Sequence, residues 1–154
     1  MPRFRKGRPG TFVETNYGMR NQGILRAASF FFVGLSALCF LLVSAMAFVD
    51  PQSVMDLVQV RLPNTDAASS IRGIYGGAGL SIVIMLIYLS FKDIREALGF
   101  LSLLWGLYAI SRGVTQIAEG PLGAFGRQWI LIEAFFCCIA LLLLTIHYRK
   151  VQFL

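Results

Sequence analysis

The apolar residues of this chain come in four long runs rather than in short alternating stretches. The runs cover residues 24–49, 71–91, 97–118 and 129–148. Each approaches or exceeds the roughly 20 helical residues that cross the hydrocarbon core of a bilayer. Helix is the expected form, because a segment surrounded by lipid must satisfy its own backbone N–H and C=O groups. Strands of a membrane barrel would be shorter and would alternate polar with apolar positions. Ser29-Phe30-Phe31-Phe32-Val33 and Ala140-Leu141-Leu142-Leu143-Leu144 do not alternate. The pattern predicts an all-α integral membrane protein, a four-helix up-down bundle over residues 24–148. A basic arm at 1–23 precedes it and a short tail at 149–154 follows.

The connections fit that arrangement. Lys92-Asp93-Ile94-Arg95-Glu96 is a tight charged turn, and short connections favour antiparallel neighbours. Glu119-Gly120-Pro121-Leu122-Gly123 holds two strong chain breakers. In the longer first connection Pro51 starts a short helix with Val54, Leu57 and Val58 on one face. Asn64-Thr65-Asp66 then offers a cap before the second span. Ala45-Met46-Ala47 has the form of a signal-peptidase site, but the apolar run continues through Phe48 and Val49. A cleaved signal has an apolar core of roughly 7–15 residues, so the first span is expected to be retained.

Composition sharpens the class. Of 154 residues, 56% are hydrophobic and 14% charged, with a mean hydropathy of +0.68. A soluble domain carries about 25% charge, so this chain has too few polar side chains to cover a globule in water. That excludes the soluble enzyme, the disordered regulator and the secreted disulfide scaffold. The net charge of +6 would suggest nucleic acid in a soluble protein. Here it is a topology signal, and no nucleic-acid partner is expected. Arg3, Arg5, Lys6, Arg8, Arg20, Arg26, Lys92, Arg95, Arg149 and Lys150 fall on one side, leaving Arg61, Arg72, Arg112 and Arg127 on the other. The positive-inside rule therefore places both termini in the cytoplasm.

Helix association in lipid relies on close packing at small residues. The third span carries Gly99, Ser102, Gly106, Ala109 and Gly113 at alternating spacings of 3 and 4. The second carries Gly73 and Gly77 in a G-x-x-x-G pair, with Gly76 and Gly79 beside them. Gly73, Gly77, Gly99, Gly106 and Gly113 are the expected packing positions. The same seams would serve a dimer face or a groove for a flat ligand.

An ionisable side chain inside a span is a functional-site hypothesis by default. Arg112 lies near the outer end of the third span and Glu133 near the outer start of the fourth. Both are expected about 8 Å below the outer interface, at 1.5 Å of rise per residue. Gln116 and Glu119 share the helical face of Arg112, and Arg72 and Tyr75 enter from the outer end of the second span. A polar cluster of Arg72, Tyr75, Arg112, Gln116, Glu119 and Glu133 is expected. It is either an ion-pair clamp that sets helix register or a pocket for a lipid head group, a quinone carbonyl or an anion, although two arginines against two glutamates single out no specific anion.

Other chemistry is sparse. His147 is the one histidine, at the cytoplasmic end of the fourth span, where an interfacial anchor is expected. Cys39, Cys137 and Cys138 lie inside spans and read as packing residues. No metal-ligand spacing, Walker loop, nucleophile elbow or dinucleotide fingerprint appears, and neither a metal nor a resident cofactor is expected. The arm interleaves basic residues with Phe4, Phe12 and Tyr17, a composition suited to anionic lipid or to docking a partner.

Arg72-Gly73-x-Tyr75-Gly76-Gly77, Ser111-Arg112-Gly113, Glu119-Gly120 and Glu133 together resemble the domain-of-unknown-function family numbered 4345. It comprises small bacterial four-helix membrane proteins related to the DoxX-like group. The resemblance covers roughly residues 64–144. It implies a bacterial inner-membrane protein with no assigned reaction, and some DoxX-like relatives are linked to quinone-coupled sulfur oxidation. The expected function is that of a non-enzymatic accessory or interaction subunit, bound to a membrane-protein partner or to a second copy. The alternative is a binding protein or enzyme for a lipophilic ligand such as a quinone or lipid.

The topology has a direct test. A phosphatase reporter that works only outside the cytoplasm should be active when fused after Asp66 and inactive when fused after Leu154. Activity at Leu154 would overturn the four-span reading.

Overall fold

The computed structural model describes residues 11–151, with side chains at 22–149. Arg3, Arg5, Lys6 and Arg8 of the basic arm and residues 152–154 of the tail lie outside the described residues. Every regular element among the described residues is helical. The helices are α1 (Thr11–Val49), α2 (Pro51–Asp56), α3 (Thr65–Ile71), α4 (Gly79–Lys92), α5 (Ile94–Ala118) and α6 (Ala124–Val151). A π-helical segment, Arg72–Ala78, joins α3 to α4 without a break. Among the described residues four stretches are long and apolar enough to cross a membrane: Gln22–Val49, Thr65–Lys92, Ile94–Ala118 and Ala124–Arg149.

Each boundary has a local cause. Asp50 accepts from the Gln52 N–H at 3.0 Å, and Pro51 opens α2 with the φ a helix needs. The buried face of α2 carries Val54 and Met55, whereas Leu57 and Val58 are exposed beyond its end. That corrects the expected apolar face: the chain leaves the helix at Asp56, and Gln59 takes a left-handed φ of 60°. Asn64 caps α3 by accepting from the Ala67 N–H at 2.9 Å. Asp93 ends α4 and caps α5, accepting from the Arg95 N–H at 3.0 Å. Gly120 turns the chain after α5 at φ 104°, a conformation that suits glycine.

Contacts between helices give their directions. Along α1 and α4 the partners run oppositely: Phe30 meets Phe91, and Phe48 meets Gly76. Along α5 and α6 they also run oppositely, from Arg95 against Tyr148 to Arg112 against Glu133. Along α1 and α5 they rise together, from Ser36 against Trp105 to Phe40 against Tyr108. The core lies between these helices and contains Val33, Leu86, Leu98, Leu101, Trp105 and Ala140. Trp105 knits three helices: its ring packs on Phe40 and Phe136, and its indole N–H donates to Ser36 Oγ at 3.4 Å.

The inner stripe of α1 is unusually polar for such a core: Ser29, Ser36 and Ser44 are fully buried. Ser29 and Ser44 donate to the carbonyls of Leu25 and Phe40 four residues back, at 2.9 and 2.8 Å. Their hydroxyls are thereby satisfied, and their small size lets neighbouring helices approach. Large apolar side chains such as Phe31, Ile117 and Leu131 face outward instead, at 74%, 89% and 72% exposure. An apolar exterior of this kind fits a multi-pass membrane protein.

The second span is where the structure departs from a plain α-helix. Hydrogen bonds reaching five residues widen the turn over Arg72–Ala78, and Gly73, Gly76 and Gly77 offer no Cβ to resist it. The glycines that approach α1 are Gly76 and Gly79. A Cβ at Gly73 or Gly77 would meet nothing within 4 Å, whereas one at Gly76 would press on the Phe48 ring at 3.1 Å. At Gly79 it would collide with Ser44 Oγ. In α5, an added Cβ at Gly106 would meet Cys137 Sγ at 3.4 Å, while Gly99 and Gly113 face open space.

Gly79→Ala should therefore lower stability in detergent by about 1–3 kcal/mol, the usual cost of overpacking. Gly77→Ala should stay within about 0.5 kcal/mol of the parent. Adding Ser44→Ala to Gly79→Ala removes the colliding hydroxyl and should restore most of the loss in thermal unfolding. Equal effects of the two glycine changes would refute the close approach at Gly79.

Candidate functional site: a buried ion pair between α5 and α6

Helical spacing builds the site. On α6, Phe125, Trp129 and Glu133 follow at steps of four and share one face. On α5, Tyr108 and Arg112 do the same. The antiparallel contact of these helices brings Arg112 Nε to 2.7 Å from Glu133 Oε2. The Glu133 side chain is 2% exposed and that of Arg112 is 23% exposed. The Arg112 guanidinium also stands 5.7 Å from the centre of the Phe125 ring, within range of a cation–π attraction. Phe125 in turn packs on Trp129 at 5.8 Å.

A charge-assisted hydrogen bond of this length is stronger than a neutral one. It also lets each charge persist at a depth where neither would be tolerated alone. Arg112 donates through Nε, and among the described residues its two terminal nitrogens have no hydrogen-bond partner. The pair thus has a sealed side at Glu133 and an open side at Arg112.

The remaining residues of the expected cluster are not joined to this pair by hydrogen bonds. Arg72 is exposed and donates from Nε to the Phe48 carbonyl at 3.3 Å. That carbonyl belongs to the last turn of α1, where carbonyls lack helical partners and a cation is favoured. Tyr75 is exposed on the π-helical segment. Gln116 is exposed near the end of α5, and Glu119, also exposed, is its C-terminal cap residue. Arg72 takes this course because the α1 terminus, one side chain away, competes for it.

Two contacts have no counterpart in the sequence reading. His147 Nε2 lies 3.0 Å from Ser29 Oγ, linking the end of α6 to the middle of α1. The Ser29 hydroxyl also lies 2.9 Å from the Leu25 carbonyl, to which it donates. Cys137 Sγ reaches the Ser102 carbonyl at 3.4 Å beside Gly106. The seven-residue step from Ser29 to Ser36 was a usable signal for a buried serine stripe. Nothing local points from His147 to Ser29, 118 residues away. Among the described residues, no three His, Cys, Asp or Glu side chains gather to hold a metal ion.

A family model described as a domain of unknown function, DUF4345, matches residues 29–144. No curated protein and no solved structure matches the chain.

The pair predicts a specific pattern of stability. Arg112→Leu or Glu133→Leu alone should destabilise the protein by about 3–5 kcal/mol, because each leaves an unpaired charge. The double change should recover much of that loss in detergent unfolding. Additive losses would show that the two residues do not act as a unit.

Proposed function

The chain belongs to DUF4345, a domain-of-unknown-function family, and from that premise we propose that it is a small non-enzymatic subunit of a larger membrane assembly. The observation that carries this reading is the satisfied polar interior. Among the described residues every buried side-chain nitrogen and oxygen has a hydrogen-bond partner. The acid buried deepest, Glu133, is engaged by Arg112. A catalytic acid or base must be reachable by the proton it moves, and this interior is organised as a scaffold. In this reading the bundle crosses a bacterial cytoplasmic membrane four times in up-down order, with both termini in the cytoplasm. The lysine and arginine distribution supports that orientation. The outward apolar faces contact lipid and the helices of a membrane-protein partner or a second copy, and the basic arm at 1–23 contacts anionic lipid or docks the partner.

A second reading is favoured by the open side of the ion pair. The terminal nitrogens of Arg112 suit the carbonyl of a quinone or the head group of a lipid. Arg72, Tyr75, Gln116 and Glu119 are exposed toward the same end of the bundle. In that case the protein binds a lipophilic ligand next to Arg112.

Purification in mild detergent followed by native mass spectrometry separates the two. The subunit reading expects another membrane protein at fixed stoichiometry with this chain. A lone chain that carries a quinone or lipid, and loses it in Arg112→Leu, would overturn that reading in favour of the second.

A further inference from the structure

At the end of the bundle opposite Arg112, residues 22–26 of α1, the α4–α5 turn and the end of α6 border an open cleft of about 430 Å³. That size lies within the roughly 300–1,000 Å³ of small-ligand sites. Arg26, Lys92, Arg95 and His147 line it, with Asp93 as the lining carboxylate. Two of the cations are committed locally. Arg95 Nη2 meets Asp93 Oδ2 at 2.7 Å, and Lys92 Nζ meets Glu96 Oε2 at 2.9 Å. The Arg95 guanidinium beside Asp93 holds that carboxyl below the usual carboxylate range.

Arg26 differs from both. Its guanidinium stands 5.7 Å from the Phe30 ring, and among the described residues no carboxylate pairs with it. The cleft therefore keeps an excess of positive charge. Its rim is apolar on the outward side: Phe91, one of its lining residues, is 82% exposed. A cationic hollow at the end of four apolar helices, bordered by an outward phenyl ring, has the two-part chemistry of an amphiphilic anion.

We propose that this cleft binds the phosphate head group of an acidic phospholipid, with Arg26 as the principal cation and an acyl chain lying along Phe91. The proposal rests on the placement of the four helices in a membrane and is independent of the subunit reading. A zwitterionic lipid compensates its phosphate with its own cation and gains little from Arg26. A net-negative head group gains the full attraction, worth about 1 kcal/mol per basic residue near a membrane surface.

The test uses the full chain in detergent, titrated with dioleoylphosphatidylglycerol or dioleoylphosphatidylcholine, with bound lipid read by native mass spectrometry. Phosphatidylglycerol should bind in preference to phosphatidylcholine. Arg26→Gln should weaken it about five-fold, the equivalent of that energy, and Arg26→Lys should keep most of the affinity. Arg127→Gln removes the same charge near the start of α6, about 30 Å along the helix from His147 at 1.5 Å per residue, and should leave binding unchanged. The retained affinity of Arg26→Lys keeps the test readable if Arg26→Gln folds poorly. Equal binding of both lipids, or equal losses in Arg26→Gln and Arg127→Gln, would overturn the site. Full protection of the cleft by inorganic phosphate alone at the same concentration would overturn its assignment to a lipid. A failure to recover partner proteins would sink the subunit reading and leave this result standing.

Discussion

Within the helical array no solvent is at hand to accept or donate a hydrogen bond, so each buried polar group must find its partner in the chain itself. Much of the structure follows from that constraint. Glu133 is tolerated because Arg112 reaches it across the α5–α6 contact. The serines of α1 are tolerated because their hydroxyls turn back to carbonyls of their own helix or meet the indole of Trp105. The carbonyl of Phe48, left over at the end of α1, is met by Arg72. These contacts are few, and most of the area between the helices comes from dispersion between small and apolar side chains.

The spans were legible because length and unbroken apolarity are local properties. Residues 97–118 of the third run sit inside α5, and the Asn64 cap and the Pro51 helix start are where their side chains require them. The pairing of Arg112 with Glu133 was legible for a similar reason: two unlike charges at matched depth on consecutive antiparallel helices have few other partners. Less was legible where partners compete or the backbone deviates. Arg72 had a choice between the cluster and the α1 terminus, and its spacing carries no sign of which is nearer. Gly76 and Gly79 rather than Gly73 and Gly77 approach α1, and a pattern read at 3.6 residues per turn has no means of registering the π-helical turn in which this stretch lies. The contact of His147 with Ser29 depends on how α6 closes against α1, which is decided by packing of the whole array.

The two ends of the molecule use charge in different ways. At one end Arg112 and Glu133 pair beside Phe125, which packs on Trp129, and the two charges are directed at each other. At the other, the turn at Asp93 spaces its cations around an open hollow, and only part of that charge is answered by neighbouring acids. The first arrangement resists change because both members must be replaced together. The second is exposed to its surroundings, where dissolved salt screens its charges.

The position of the aromatic rings has a practical consequence. The chain contains two tryptophans, and they sit in distinct surroundings. Trp105 is enclosed where α1, α5 and α6 meet, so its emission follows the integrity of the central packing. Trp129 lies one helical turn before Glu133, on the same face of α6, so its emission follows the setting of the ion pair. Replacing either with phenylalanine leaves a single tryptophan, and under excitation selective for tryptophan the protein then carries its own optical gauge for one level of the bundle at a time, without an attached dye.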